Sequence, residues 1–202
     1  MKYPEFFKQV KTIKLKDELS EFLGTFDNGI IEYTYPEIVK AAGHSCPTVA
    51  GAYMMCAKAL EKLYPDSLPV RGQIKVEFKN SVDEGVTGVI SNVISQISGA
   101  TKETGFKGIA GQYIRHSLMD FNVDIEGLIR FTRIDTGKSV EVIYNPFIPP
   151  KPEMQGLMQK SISGQASDTE KDEFGKLWQA RVEEILIDNF DNPEVVIFIN
   201  RT

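Results

Sequence analysis

Pro47-Thr48-Val49-Ala50-Gly51-Ala52-Tyr53-Met54-Met55-Cys56-Ala57-Lys58-Ala59-Leu60-Glu61-Lys62-Leu63 is the stretch on which the fold turns. Val49, Ala52, Tyr53, Cys56, Leu60 and Leu63 recur at helical spacing and form one apolar stripe. Pro47 suits a first helical turn, where its missing N–H is no loss, and this places Cys46 at or beside the N-cap. Pro65-Asp66 ends the helix. Directly afterwards the period drops to two. Val70, Gly72, Ile74, Val76 and Phe78 fall on one side and Arg71, Gln73, Lys75 and Glu77 on the other, which predicts a half-buried strand.

The same contrast extends in both directions. Upstream, Tyr35 to Ala42 reads as a short helix closed by Gly43. Tyr3 to Phe26 has partly helical spacing through Phe6, Phe7, Val10, Ile13, Leu19, Phe22 and Leu23, with Gly24 as its stop. Downstream, Ser81-Val82-Asp83-Glu84 matches a capping box and predicts a helix running to Ser98. Gly99 to Gly111 reads as a loop. Strands are expected over 112–121, 127–134 and 139–144, the last two joined by the turn Asp135-Thr136-Gly137-Lys138. Irregular interleaving with an antiparallel hairpin predicts an α+β fold, an antiparallel-rich sheet packed with helices.

At Asn145 to Pro152 the composition changes, and three prolines in Pro149-Pro150-Lys151-Pro152 read as a stiff linker. The expected division is a core over 1–148 and a C-terminal helical extension over 149–202, packing on the core or on a partner. Within that extension come a short helix over 153–161, a strong amphipathic helix over 170–187 and a short strand over 195–199.

Composition narrows the function classes. With 42% apolar and 25% charged residues the chain is ordinary globular protein. Its net charge of −5 and the lack of a dense basic run argue against a nucleic-acid surface. No apolar run nears the roughly 20 residues a membrane span needs, and Met1-Lys2-Tyr3-Pro4-Glu5 has no signal-peptide h-region. Two cysteines, Cys46 and Cys56, make no disulfide framework, so a reducing, cytoplasmic setting is expected.

The chemistry concentrates in Gly43-His44-Ser45-Cys46-Pro47. An imidazole and a thiol two residues apart can point the same way from a looped backbone, and both suit zinc or a softer metal. The positive end of a helix also favours a thiolate, which suits nucleophilic chemistry. The plain alternative is a loop histidine beside an inert thiol. Cys56 sits on the apolar stripe and reads as core. His116 shares a face with Ile114 and Leu118 if 112–121 is a strand, so it reads as a packing residue and only a distant ligand candidate. Asp83 and Glu84 read as helix caps before acid, base or ligand. Gly105-Phe106-Lys107-Gly108-Ile109-Ala110-Gly111 lacks both the dinucleotide and the Walker spacing. Lys107 and Arg115 are further candidates for holding an anion.

Ala42-Gly43-His44-Ser45-Cys46-Pro47-Thr48-Val49-Ala50-Gly51 resembles the signature of the FmdE family of formylmethanofuran dehydrogenase components, a G-H-x-C-P stretch opening a helix of small residues. Asp83-Glu84-Gly85-Val86-Thr87-Gly88, Ser98-Gly99-Ala100, Gly105-Phe106-Lys107-Gly108, Arg130-Phe131, Asp135-Thr136-Gly137 and Phe174 to Val182 follow in a similar order. The resemblance implies an α+β core that tends to form dimers, with a metal or reactive site around His44 and Cys46. A divalent metal of the zinc type and a small-molecule substrate follow as expectations, and methanofuran binding does not. Some members carry a cysteine-rich zinc finger at the C-terminus; with no cysteine after Cys56, that module is not expected here. Two other readings stand beside the metal site: a metal-free enzyme with Cys46 as nucleophile and His44 as base, and a non-catalytic accessory protein of a larger assembly.

Overall fold

The computed structural model describes residues 2–199; residues 200–202 of the C-terminal segment lie outside the described residues. Strand β1 (Ile13–Lys16) pairs antiparallel with β2 (Ile30–Tyr33), and the short helix α1 (Glu18–Phe22) lies between them. Helix α2 (Tyr35–Ala42) leads into α3 (Pro47–Leu63). Then come β3 (Ile74–Phe78), α4 (Thr87–Ser98), β4 (Met119–Asp120), β5 (Ile129–Arg133) and β6 (Ser139–Tyr144). A helical hairpin, α5 (Pro152–Ile162) and α6 (Asp168–Glu183), runs through a π-helical turn to β7 (Val196–Ile199).

The main sheet has the order β4-β3-β5-β6-β7, antiparallel throughout except for the β3/β4 pair. The α+β expectation therefore holds, with an antiparallel-rich sheet and a C-terminal helical hairpin. The alternation read in β3 sends Ile74, Val76 and Phe78 into the core, where Ile129, Phe131 and Val142 meet them. On the opposite face Glu77 stands across from Arg130, and Arg130 across from Glu141, a row of opposite charges that fixes register.

Helix α3 is the hub. Its apolar stripe is wider than the sequence implied: Val49 to Ala57, Ala59, Leu60 and Leu63 are all buried. Ala50, Gly51, Ala52, Ala57 and Ala59 keep its circumference small enough for neighbours to close in from several sides. Glycine at 51 has a specific reason, because the ring of Tyr144 occupies the space where a β-carbon would stand.

Four expectations need correction. Residues 3–26 are not mainly helical: Ile13-Lys14-Leu15-Lys16 alternates, and its pairing with β2 overrides the helical spacing around it. The capping box at Ser81 does not open a helix. Ser81 Oγ donates to Asp83 in a local turn, Gly85 takes φ +57°, and α4 begins only at Thr87. Of the strand expected over 112–121 only Met119–Asp120 forms, since Tyr113 and Ser117 adopt positive φ, which breaks the pleat. Of the strand expected over 70–78, Val70 makes only an isolated bridge to Lys16, and Gly72 has φ +82°. The helices at 35–42, 47–63, 152–162 and 168–183, the 129–144 hairpin and the last strand lie where the sequence placed them, within a few residues. No helix of the described residues is long and apolar enough to cross a membrane.

Candidate functional site at the α2–α3 junction

Four residues, Gly43 to Cys46, join two helices. Thr34 and Glu37 form a capping box at the start of α2, and Gly43 ends it in the left-handed region at φ 78°. Cys46 is the N-cap of α3, with extended backbone, and its Sγ accepts the Val49 N–H at 3.4 Å. The cysteine thus occupies a position normally held by serine or aspartate and faces the positive end of a 17-residue helix.

His44 is exposed, and its Nδ1 lies 3.0 Å from the carbonyl oxygen of Ala42. A carbonyl can only accept, so Nδ1 carries a proton, which leaves Nε2 as the nitrogen that can act as acceptor or ligand in the neutral ring. The imidazole lines a cavity of about 160 Å³ between α2 and α4, bounded by Ile38, Ala41, Val89, Asn92, Val93 and Gln96. Cys46 is half-buried beside the tyrosines of α2 and β6.

Four side chains from three elements hold the loop. The Ser45 hydroxyl bonds the hydroxyl of Tyr35, a fully buried α2 residue, at 3.0 Å. The Ser45 carbonyl accepts from Trp178 Nε1 at 3.0 Å and Gln179 Nε2 at 3.2 Å, both on α6. Tyr144 Oη, from β6, donates to the Pro47 carbonyl at 2.9 Å. Burial pushes the Tyr35 and Tyr144 hydroxyls up, and the nearby Cys46 sulfur pushes the same way, so both remain protonated. Gln179 Oε1 is buried with no partner among the described residues, an unspent acceptor close to the loop.

The other candidates lie elsewhere. Cys56 is fully buried in α3, and burial pushes its thiol up, so it is core as read. His116 bonds Ser117 Oγ at 2.9 Å and is half-exposed on a different cleft with Glu18 and Gln73. The expected burial pattern is reversed: Arg115, not His116, is the buried residue of that pair. Asp83 is exposed in the Ser81 turn, and that serine's hydroxyl holds its carboxyl below the usual range. Glu84 and Lys107 are exposed. Among the described residues no three His, Cys, Asp or Glu side chains gather as a metal cluster.

The sequence reading missed Tyr35, Tyr144, Trp178 and Gln179. Trp178 is the single tryptophan of the chain, and with Gln179 it falls in the Phe174 to Val182 stretch of the family resemblance, the two hints the sequence carried. No curated protein matches the chain. The family model described as FmdE, molybdenum formylmethanofuran dehydrogenase operon, matches residues 41–193, a span that holds the His44–Cys46 loop together with the Tyr144, Trp178 and Gln179 anchors, and the chain belongs to that family.

Proposed function

We propose that this protein holds a divalent metal of the zinc type at His44 and Cys46 and uses it to bind and act on a small molecule. The observation that carries the reading is the anchoring of a four-residue connection by side chains from α2, β6 and α6. Such anchoring exceeds what a simple helix connection requires and suits a site that must hold its donors in place. The donors fit a metal. A histidine whose Nδ1–H is fixed by a backbone carbonyl presents Nε2, the usual arrangement at metal sites. A thiolate at a helix N-cap is a soft ligand in a favourable field.

His44 and Cys46 would hold the metal, with water, substrate or a group from a second copy of the chain completing the shell; a homodimer fits this incomplete donor set. When bound, the metal supplies Lewis acidity and an open position. The chain's own residues do the rest. Trp178 and Gln179 orient the loop through the Ser45 carbonyl, Tyr144 fixes the first turn of α3, and the cavity beside His44 admits the substrate. The two unpaired thiols suit a reducing, cytoplasmic compartment.

Elemental analysis tests the reading. Purified wild type carries stoichiometric metal, and Cys46→Ser and His44→Ala each lose most of it; equal and negligible metal in all three would overturn it. The N-cap position of Cys46 also favours a metal-free nucleophile. In metal-stripped protein, iodoacetamide modifies Cys46 at least tenfold faster than Cys56, which is fully buried. If Cys46 reacts no faster than a free thiol in a peptide, the nucleophile reading falls.

A further inference from the structure

The cavity at His44 does not end at α2. Ala41, Asn92 and Gln96 also line a second cavity of about 520 Å³, which continues along the same side of α4 to Tyr33, Ser95, Thr101, Arg71 and Arg115. From Val89 to Gly99 this groove follows about 15 Å of chain at the helical rise. One end holds the imidazole and the other two guanidinium groups. Among the described residues no carboxylate lines either cavity, in a protein of net charge −5.

The arginines are held in place from behind. Asp17, 3% exposed, accepts from Arg71 Nη1 at 3.0 Å and from Arg115 Nη2 at 2.9 Å. Arg71 also donates to the Gln96 and Ile97 carbonyls at the end of α4. Two guanidiniums thus face one buried carboxylate and the negative end of α4. Glu18, whose charge also acts on Arg115, lines the exposed cleft shared with His116 and not this groove. Gly99 and Gly105 make the room: a β-carbon at Gly99 would press on both arginine side chains, and one at Gly105 on the Arg115 backbone.

We propose that this groove binds an elongated small molecule with a carboxylate at the Arg71–Arg115 end and its uncharged body along Asn92, Ser95 and Gln96 toward His44. A carboxylate can accept from the guanidinium N–H groups that Asp17 and the carbonyls leave over, Arg115 Nε among them, which is buried with no partner among the described residues, and the amide and hydroxyl side chains of α4 suit an uncharged body. The far end rests on the reading of His44 given above; the arginine end stands without it.

The test uses calorimetric titration with hexanoate, hexanol and inorganic phosphate. Hexanoate binds at least tenfold tighter than hexanol or phosphate. Ser95→Asp, which places a negative charge in the groove, binds hexanoate at least tenfold more weakly than Ser95→Asn, a variant with a side chain of the same shape and no charge. Matching thermal unfolding of the two variants shows that the fold is intact. Cys46→Ser binds hexanoate as wild type does, and Ser95→Asp keeps the wild-type metal content, so the groove and the metal site fail separately. Hexanoate binding no tighter than hexanol, phosphate binding as tight as hexanoate, or indifference to Ser95→Asp would each overturn the groove.

Discussion

Asp17→Ala lowers the stability of this protein by about 3–5 kcal/mol, the cost of stripping a buried ion pair of one partner. An exposed salt bridge would be worth only about 0–1 kcal/mol; the side chains of Asp17 and Arg115 are 4% and 8% exposed, so the larger figure applies. Arg71 is less enclosed and keeps its two carbonyl partners, but Arg115 is left with only the Arg71 carbonyl. The carboxylate also accepts the Ser20 N–H as N-cap of α1, so the alanine variant loses a cap as well. Asp17→Asn keeps a capping side chain without the charge and isolates the electrostatic part.

Burial alone would raise the Asp17 carboxyl. The Ser20 amide, Arg115 and Arg71 outweigh it and hold the group below its ordinary value. A carboxyl lowered on folding stabilises the native state above its unfolded value near 3.9, and that contribution is lost as pH falls through the folded value. Urea titrations should therefore show the gap between wild type and Asp17→Asn at full size at pH 7 and shrinking below about pH 4. A gap under 1 kcal/mol at pH 7, or one that widens in acid, would contradict the assignment.

Gly51→Ala is expected to destabilise the protein by about 1–3 kcal/mol through overpacking, against the ordinary rule. Replacing glycine by alanine inside a helix usually gains about 0.5–1 kcal/mol. Here the added methyl group would occupy the position of the Tyr144 ring. The ring must move, and its hydroxyl then leaves the Pro47 carbonyl at the start of α3. Gly175→Ala in α6 is the control, since a β-carbon there meets nothing within 4 Å; it should show the usual gain. Thermal unfolding of both variants and metal content of Gly51→Ala check the account, because displacement of Tyr144 should loosen the His44–Cys46 loop as well as the core. A Gly51→Ala variant as stable as wild type, with unchanged metal, would show that Tyr144 does not brace the site.

What was legible in the sequence follows physical range. Period and local chemistry sufficed for α3, for the closure of α2 at Gly43 and for the β5–β6 hairpin, because those signals act over a few residues. They failed where pairing partners decide. Ile13-Lys14-Leu15-Lys16 becomes a strand only because β2 lies opposite. The capping pattern at Ser81 was outweighed by a glycine four residues on that adopts a left-handed conformation. At the site, His44 and Cys46 were visible as a motif with a proline-started helix behind them. The braces were not: Tyr144 and Trp178 reach the loop across 97 and 133 residues of sequence. Arg115 was noted as a possible anion holder, but its buried partner Asp17 lies 98 residues away and no local pattern marks it.

X-ray absorption at the zinc edge, on protein reconstituted with one zinc per chain, bears most directly on whether His44 and Cys46 share a metal. The wild-type spectrum should contain both sulfur and imidazole scattering, with the sulfur contribution gone in Cys46→Ser and the imidazole contribution reduced in His44→Ala. A wild-type spectrum of light-atom neighbours alone, or one that Cys46→Ser leaves unchanged, would contradict the proposed site.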